Sequence, residues 1–292
     1  GVRSPLAVAD LLGDGNKEIL FSTGQRRLVC CGADGALLWE AELGCDNRSG
    51  PIAADLDGDG LCEIIIGGQD GRLRCFARDG RPRWEYAATA EIDSAIACGD
   101  IDGDGARETV AIDLRGHCVC LDAAGRPRWT YNVRNRCRRS PALADLDGDG
   151  EIEILVAGYD RRMYLLSHDG QEKDIADVPG TTNGGPTLVT AAGRLAAAVP
   201  FEGGWIGLYT WLAPDAATLP RALPVLWGSY RVTPTQCGAL EPLAASRQAV
   251  RLLSVDHGGG LVGRNVFEVR VANPQGRRLA QELRLDGLTG SG

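Results

Sequence analysis

The sequence has few of the side chains and segments on which several classes of protein depend. It contains three histidines and one methionine among 292 residues, and no apolar run approaches the roughly 18 residues that a membrane-spanning helix needs. It carries no G-x-S-x-G, H-E-x-x-H or P-loop motif. The net charge of −8 argues against general nucleic-acid binding, which needs a basic surface. We therefore expect neither a transmembrane segment nor a nucleic-acid partner.

Sustained helical periodicity is also missing from every window of the sequence. Glycine, in contrast, is abundant at 40 residues and forms no low-complexity run. Many isolated glycines indicate many tight turns and therefore many short strands. The chain begins GVRSPLAVAD, without an initiator methionine or the apolar region of a signal peptide, so we expect a processed or excised piece of a longer protein.

The ten cysteines form an even set, which in a secreted chain would suggest disulfides. Their spacing favours another interpretation. Cys30, Cys75 and Cys120 recur at one interval inside apolar runs, where cysteine acts as a small buried hydrophobic residue. We expect most of the cysteines to be unpaired thiols in the core.

A repeat of 45 residues organises the chain. The stretch DLDGDGLCEI and its three relatives begin at Asp10, Asp55, Asp100 and Asp145. Tryptophan follows the same interval at Trp39, Trp84 and Trp129, and glycine does so at Gly35, Gly80, Gly125 and Gly170. A period of this length is typical of propellers and solenoids, in which each unit buries one face against its neighbour.

The pattern within one repeat distinguishes these two architectures. Residues 49–93 contain four short apolar runs, PIAAD, EIII, RLRCF and RPRWEY, separated by turns rich in glycine and aspartate. Four strands in each 45-residue unit predict an all-β fold, a β-propeller of four-stranded blades. A superhelical solenoid is the alternative.

The fifth repeat is degenerate but keeps the register, and it carries Thr190 where the other units have an aspartate. We expect this blade to hold no metal ion. Five blades are therefore visible in residues 1–219. The ring either closes at five blades or continues into sequence before Gly1.

The pattern ends after Leu219. Residues 220–245 are rich in proline and aperiodic, as expected of a connector. Residues 246–292 contain three strand-like runs. These predict either a truncated immunoglobulin-like sandwich or a hairpin sheet packed on the propeller.

The acidic stretch resembles an EF-hand loop in its first six residues but not beyond them. An EF-hand has a bidentate glutamate at position twelve and helices on both sides. Counted from Asp55, position twelve is Ile66, and the acid is Glu63 at position nine between strand-like flanks. Alternating carboxylates in a tight turn suit the hard cation Ca²⁺, and without a cation they repel one another. The sequence therefore predicts a calcium loop in a β-hairpin.

With this spacing the loop resembles the calcium-binding hairpin of FG-GAP repeats, which form the propellers of integrin α-subunits and many bacterial surface proteins. The resemblance implies ligands from Asp55, Asp57, Asp59, the carbonyl of Leu61 and Glu63 in the second blade. It implies Asp100, Asp102, Asp104, Ala106 and Glu108 in the third blade, and Asp145, Asp147, Asp149, Glu151 and Glu153 in the fourth. In the first blade Leu12 replaces the second aspartate, so Asp10, Asp14 and Glu18 should form a weaker or empty site.

The second half of each repeat is similar to the tryptophan-docking repeat of PQQ-type quinoprotein propellers, through stretches such as GRPRWEY and GRPRWTY. That resemblance implies that Trp39, Trp84 and Trp129 each pack on the next blade. It also raises the alternative of a PQQ-dependent dehydrogenase, and calcium-rich propellers also occur in polysaccharide lyases. The histidines His117, His168 and His257 occupy unrelated repeat positions. We therefore expect a non-catalytic protein, with the propeller of a polysaccharide-active enzyme as the alternative.

The end of the propeller opposite the calcium loops carries a concentration of arginines. The candidate ligand-binding residues there are Arg134, Arg136, Arg138, Arg139, Arg161 and Arg162. Planar guanidinium groups suit carboxylate and sulfate. We expect this end to bind an acidic glycan or an acidic protein surface, and we expect an extracellular, cell-surface or periplasmic location.

Overall fold

The computed structural model describes residues 1–2, 4–94, 96–147, 149–178, 180–182, 184–191, 194–202, 205–211, 225–227, 254–258 and 264–270. Every named element in this part of the chain is a β-strand, and the strands form five antiparallel sheets. The predicted all-β propeller of repeated blades is therefore confirmed.

The first four blades share one plan, with consecutive strands of three, five, five and six residues. The first blade contains β1 (Ala7–Ala9), β2 (Glu18–Ser22), β3 (Arg27–Cys31) and β4 (Leu37–Glu42). The second contains β5 (Ile52–Ala54), β6 (Glu63–Gly67), β7 (Arg72–Phe76) and β8 (Pro82–Ala87). The third contains β9 (Ala97–Gly99), β10 (Glu108–Ile112), β11 (His117–Leu121) and β12 (Pro127–Asn132). The fourth contains β13 (Ala142–Ala144), β14 (Glu153–Ala157), β15 (Arg162–Leu166) and β16 (Glu172–Asp177).

The fifth sheet takes strands from two distant parts of the chain. Its strands are β17 (Thr187–Ala191), β18 (Arg194–Phe201), β19 (Trp205–Trp211), β21 (Ser254–Gly258) and β22 (Arg264–Arg270). The order is β17-β18-β19-β22-β21, so β22 lies beside β19 as the fourth strand. The remaining strand, β20 (Val225–Trp227), pairs with β13 of the fourth blade. The domain boundaries at residues 219 and 245 stay predictions.

Burial falls from the first strand of a blade to the fourth. Every residue of β5, β9 and β13 is buried, and so is every residue of β6, β10 and β14. The fourth strands β8 and β12 have no fully buried residue. This gradient explains why the second strands read as continuous apolar runs, since both of their faces are covered by neighbouring sheets.

The hydrophobic core lies between successive sheets. One cluster joins the first and second blades, including Leu20 and Ile64. A second joins the second, third and fourth blades, and a third joins the fourth and fifth, including Leu155 and Ala197. Each blade is therefore stabilised by its neighbours, as the repeat period predicts.

The three repeated tryptophans link these blades at the turn between the third and fourth strands. Trp84 Nε1 donates a hydrogen bond to the carbonyl oxygen of Ala123 in the next blade at 3.0 Å. The equivalent bonds run from Trp39 to Arg78 at 2.9 Å and from Trp129 to His168 at 2.8 Å. The expected docking of each tryptophan on the following blade is present at all three positions.

The nine cysteines within the described residues are all unpaired, and seven of them are buried. Burial raises the pKa of the Cys98 thiol to about 12 and that of Cys137 to about 11. These side chains act as small core residues, as their spacing indicates. Among the described elements, none is a helix with the length and apolar character needed to cross a membrane.

Candidate functional site

Four acidic loops connect the first two strands of the first four blades. They cover residues 10–18, 55–63, 100–108 and 145–153. In each, the first aspartate accepts a hydrogen bond from the N–H of the glycine five residues later, at 2.9–3.1 Å. The aspartate at position five accepts the N–H two residues further on, at 2.8 Å in all four. These bonds curl the loop so that its carboxylates converge.

The glutamate at position nine begins the second strand and is buried in each loop. One of its oxygens, Oε2, accepts the backbone N–H of the residue at position two, as from Leu56 to Glu63 at 3.0 Å and from Leu146 to Glu153 at 2.7 Å. Burial raises the pKa of Glu63 and Glu108, and it raises that of Glu153 to about 7. The hydrogen bond holds each glutamate in place and leaves Oε1 directed at the loop.

Three of the four loops bring carboxylates together at a spacing that suits a metal ion. The clusters are Asp55 with Asp57 and Glu63, Asp100 with Asp102 and Glu108, and Asp145 with Asp147 and Glu153, with one oxygen from each residue within 4.8 Å of the others. Among the described residues, Asp10, Asp14 and Glu18 form no such cluster. Asp59, Asp104 and Asp149 also lie outside these clusters, and their Oδ1 atoms accept loop N–H groups.

One carboxylate oxygen tests whether these residues suit calcium. Asp100 Oδ1 is buried and, within the described part of the chain, has no hydrogen-bond partner. A buried oxygen of this kind is costly unless a cation binds it. Ca²⁺ binds six to eight hard oxygens at about 2.4 Å, whereas Mg²⁺ retains several waters and takes few protein carboxylates. The residues of the second, third and fourth loops therefore fit a calcium ion.

A positively charged side chain that sequence reasoning missed lies at each of these three loops. Arg83 contacts the loop of the second blade, Arg128 that of the third and Lys173 that of the fourth. All three lie on the fourth strand of their own blade, 45 residues apart. The repeat contained a signal that could have identified these cations. The first blade, whose loop has Leu12 in place of the second aspartate, also has Leu38 in place of the cation.

The predicted ligand-binding arginines lie at the opposite end of the blades, in the turns between second and third strands and in the connectors between blades. Backbone hydrogen bonds join these segments, as from Tyr159 N–H to the carbonyl of Arg136 at 3.2 Å. Arg134, Arg136, Arg138 and Arg161 are exposed. Within the described residues none of these four forms a salt bridge, in contrast to Arg162, which pairs with Asp177 at 3.1 Å. Arg139 lies over the ring of Tyr159 instead.

Three arginines at this end have a left-handed backbone conformation. Arg26, Arg134 and Arg161 have φ values of 62°, 61° and 61°, and they are the non-glycine residues with positive φ in the described part of the chain. At the position of Arg26 and Arg161 the second and third blades have Gly71 and Gly116, also with positive φ. A side chain at such a φ costs about 1–2 kcal/mol. The backbone thus favours glycine where these blades carry arginine.

A shallow groove of about 420 Å³ lies at the same end between the second, third and fourth blades. Its walls are Thr89, Ala90, Glu91, Leu114, Arg115 and Arg136. Arg115, like its neighbour Arg136, is exposed and forms no salt bridge within the described residues. The groove presents two guanidinium groups and one carboxylate to solvent.

His117 lies next to this groove in a closed hydrogen-bond chain. Its Nδ1 lies 2.6 Å from Thr89 Oγ1, which donates to Asp113 Oδ2 at 2.5 Å, and its Nε2 lies 3.3 Å from Asn132 Nδ2. A neutral imidazole with the proton on Nδ1 satisfies every one of these contacts. The threonine proton is directed at the aspartate rather than at the histidine, so the arrangement differs from a nucleophile and its base.

At the calcium-loop end, His168 lies in the turn between the third and fourth strands of the fourth blade. Its Nδ1 is 3.4 Å from Glu151 Oε2, and the ring lies beside Trp129 in a cleft of about 290 Å³. His257, the third histidine, lies on β21 of the fifth sheet. His117 and His168 lie at opposite ends of their blades, so the structure does not bring these two histidines together.

The repeated blades and their acidic loops define the class of protein. The sequence model of the FG-GAP-like repeat matches residues 55–111, which include the complete loops of the second and third blades. A second model, described as the lambda-carrageenase beta-propeller domain, matches residues 90–171. The expected resemblance is confirmed, and the chain is a β-propeller that carries FG-GAP-like repeats.

Solved structures with a similar fold include two crystals of BBS1N in complex with ARL6DN. The chain is 17% identical to the matched chain of the lead-soaked crystal, with a TM-score of 0.54 over 72% of this chain and 66% of that chain. For the mercury-soaked crystal the identity is 16% and the TM-score is 0.54, over 72% of this chain and 63% of that chain. The chain thus spans slightly less than two thirds of these relatives. BamB from Moraxella catarrhalis is 15% identical, with a TM-score of 0.41 over 68% and 69% of the two chains. The similarity to the two BBS1N structures shows the fold alone. No curated protein matches the chain significantly.

Proposed function

We propose that this chain is a calcium-stabilised, non-catalytic propeller that binds an anionic glycan through its arginine-bearing end. The observation that carries the proposal is the left-handed backbone of Arg134 and Arg161. Strained residues persist where surrounding structure holds them, and they cluster at binding sites. Arginine at these positions costs stability that glycine would not, which supports a role for the side chains themselves.

The chemistry of the groove supports a negatively charged ligand. Arg115 and Arg136 line it, and Arg134, Arg138 and Arg161 extend the positive surface beside it. Guanidinium groups without a carboxylate partner bind sulfate or carboxylate in a bidentate manner. The match of residues 90–171 to the propeller of a carrageenase, an enzyme named for a polysaccharide, favours a glycan over an acidic protein surface.

The acidic loops support the calcium part of the proposal. Each of the three clusters gathers carboxylates between the first two strands of a blade, and Asp100 Oδ1 has no other partner among the described residues. A bound ion would close these turns and stabilise the inner strands. Extracellular calcium modules have dissociation constants of about 10⁻⁴–10⁻³ M. This range is consistent with an extracellular, cell-surface or periplasmic location.

A second candidate is the propeller domain of a polysaccharide-active enzyme, with catalysis in another part of the protein. The observation that favours it is again the match to the carrageenase propeller. The closed hydrogen-bond chain of His117 argues against a catalytic base at the groove itself. Release of reducing ends from a sulfated polysaccharide incubated with the chain would favour the enzyme.

The experiment compares two triple variants that remove equal charge from opposite ends. The first changes Arg134, Arg136 and Arg161 to serine. The control triple changes Arg78, Arg81 and Arg126 to serine, in turns between third and fourth strands at the calcium-loop end; Arg81 and Arg126 are 85% and 79% exposed. Binding to immobilised lambda-carrageenan and heparin is measured by biolayer interferometry.

The first triple should weaken binding at least about tenfold, because it removes several charge-assisted hydrogen bonds. The control triple should change it less than about twofold, since it alters only the long-range field, which salt screens. Equal losses in the two triples would contradict the proposal. Circular dichroism and the melting temperature verify that both variants are folded.

A further inference from the structure

Each acidic loop with a complete motif is contacted by a positively charged side chain from its own blade. Arg83, Arg128 and Lys173 occupy the same position on the fourth strands β8, β12 and β16. The contacts are made to the second aspartate and the glutamate of each loop. We call these three residues the tethered cations.

Each of the two arginines bridges the second aspartate and the glutamate of its loop. Arg83 Nη2 lies 2.8 Å from Asp57 Oδ2, and its Nη1 lies 2.5 Å from Glu63 Oε1. Arg128 repeats this arrangement, with contacts to Asp102 and, at 3.0 Å, to Glu108 Oε1. The aspartate and the glutamate in each pair are also members of the candidate metal cluster.

Lys173 lies among three carboxylates of the fourth loop. Its ammonium nitrogen lies 2.9 Å from Asp147 Oδ2, 2.8 Å from Asp149 Oδ2 and 2.9 Å from Glu153 Oε1. One nitrogen thus contacts three carboxylates of the same loop, which is the arrangement expected of a bound cation. Burial alone would lower the pKa of Lys173, but the hydrogen bonds that its ammonium group donates to these carboxylates outweigh burial and raise it.

The first blade provides an internal comparison. Its loop has Leu12 in place of the second aspartate, and its fourth strand has Leu38 in place of the cation. Both leucines are substantially exposed, at 47% and 45%. The cation is therefore present in the three blades that carry the second aspartate and absent from the blade that lacks it. If the cation were an ordinary surface residue, its presence on the fourth strand would not depend on whether the loop contains the second aspartate.

Charge explains what the pairing does. Each complete loop has at least four acidic groups at the candidate ligand positions and one tethered cation, so it keeps an excess of negative charge that can attract Ca²⁺. The tethered cation contacts two of the three carboxylates of each candidate metal cluster, so it and Ca²⁺ require the same carboxylates and repel each other at short range. When calcium is absent, the cation reduces the repulsion among the carboxylates and satisfies their oxygens.

We propose that Arg83, Arg128 and Lys173 are internal competitors of calcium. They hold the acidic loops together in the calcium-free protein, and Ca²⁺ displaces them when it binds. Each therefore lowers the calcium affinity of its own loop and sets the calcium concentration at which that loop responds. This inference rests on the proposed calcium binding, and it adds to it a mechanism that limits the affinity.

The test measures calcium affinity by isothermal titration calorimetry in matched variants. The main variant combines Arg83→Gln, Arg128→Gln and Lys173→Gln. The control combines Arg78→Gln, Arg81→Gln and Arg126→Gln, which removes the same charge from the same end of the propeller. Among the described residues, Arg81 and Arg126 pair only with acids of their own turns, Asp79 and Asp122.

We expect the main variant to bind Ca²⁺ at least tenfold more tightly than the unmodified chain, and the control to change less than threefold. In the presence of chelator, the melting temperature of the main variant should fall while that of the control stays constant. Equal calcium affinities in the main variant and the unmodified chain would overturn the inference, and so would a weaker affinity in the main variant.

A single substitution keeps the test valid if the triple variant does not fold without calcium. Lys173→Gln should tighten one of the sites at least tenfold, and Lys173→Arg should restore the original affinity because it restores the charge. A tightening by both Lys173→Gln and Lys173→Arg would contradict competition by the charge.

The outcomes also separate this inference from the proposed function. Calcium binding by the main variant but not by the unmodified chain would support competition and refute calcium binding by the natural protein. Calcium binding with the same affinity in both would refute competition and leave the calcium proposal standing. If neither the main variant nor the unmodified chain binds calcium at concentrations up to about 10 mM, which exceeds the dissociation constants of weak extracellular sites, both the inference and the calcium proposal are refuted.

Discussion

The indole ring of Trp84 lies directly over Gly125 of the next blade. A Cβ atom at Gly125 would come within 2.5 Å of the ring, and the same relationship links Trp39 to Gly80 and Trp129 to Gly170. The glycine permits close approach, and the indole N–H finds its acceptor two residues earlier in the same turn. These contacts connect the outer parts of blades whose inner strands share the core.

Gly125→Ala should therefore destabilise the propeller by about 2–4 kcal/mol, through a left-handed backbone conformation and the collision with Trp84. Gly35→Ala is the matched control, because Gly35 has the same conformation (φ of 81°) but no atom within 4 Å of its Cβ position among the described residues. It should cost about 1 kcal/mol. Urea unfolding measures both, and equal costs would contradict the docking role of Trp84.

Calcium should stabilise the protein and bind with a stoichiometry of about three. A ligand at ten times its dissociation constant adds about 1.4 kcal/mol for each site, so about 10 mM calcium should raise the melting temperature by several degrees over chelator. Asp100→Asn should remove one site from a calorimetric titration. Asp10→Asn, in the loop without a carboxylate cluster, should leave the stoichiometry unchanged. A melting curve that chelator does not alter would refute the structural role of calcium.

The effect of calcium should also depend on pH. Burial raises the pKa of Glu63 and Glu108, and that of Glu153 to about 7, so these acids bind protons more tightly in the folded protein than in the unfolded chain. Protonated Glu153 contributes to calcium-free stability below about pH 4.5, and this contribution is lost as the pH rises through about 7; the contributions of Glu63 and Glu108 are lost in the same direction. Calcium needs the ionised form.

The calcium-induced rise in melting temperature should therefore be larger at pH 7.5 than at pH 5.5. Differential scanning fluorimetry with calcium and with chelator at both pH values measures this difference. The variant with Glu63→Gln, Glu108→Gln and Glu153→Gln provides the control, since it lacks one carboxylate of each cluster and should show little calcium-induced rise at either pH. An equal rise at both pH values in the unmodified chain would show that protons and calcium do not compete.

Arg161→Gly should increase stability while it weakens glycan binding. The substitution removes a side chain from a left-handed conformation and should add about 1 kcal/mol to the free energy of unfolding. Arg138→Gly is the control, because Arg138 is exposed but has no positive φ. It should lower stability slightly through the flexibility of the unfolded chain. Loss of stability in Arg161→Gly would argue that the arginine is retained for folding rather than for binding.

Much of the fold was predictable because the repeat places equivalent residues at equal intervals. The period of 45, the four apolar runs and the turn glycines indicate the blade, and the structure repeats strands of the same length in four blades. The carboxylate clusters of the loops follow the same spacing. Pairings between distant segments were not predictable in this way. The pairing of β22 with β19 and of β20 with β13 joins residues outside any repeat.

The candidate site shows the same division. The acids at positions one, three and nine were expected from the sequence, since they lie within one tight loop. Two of the tethered cations, Arg83 and Arg128, lie 20 to 26 residues along the chain from the acids that they contact. The sequence showed that these cations recur every 45 residues. It did not show that their side chains lie on the face of the blade that meets the acidic loop. Arg162, one of the predicted ligand-binding residues, forms a salt bridge with Asp177, a contact between adjacent strands that was not anticipated from the sequence.

The sequence by itself determined the blade, its turns and the acidic loops, because these depend on local spacing and on the conformational preferences of glycine and aspartate. Only the tertiary structure decided which cation meets which loop, which arginines remain without a carboxylate partner among the described residues, and where each tryptophan docks. These relationships join residues from different strands or blades. They depend on the packing of sheets, which brings together side chains that no short spacing relates.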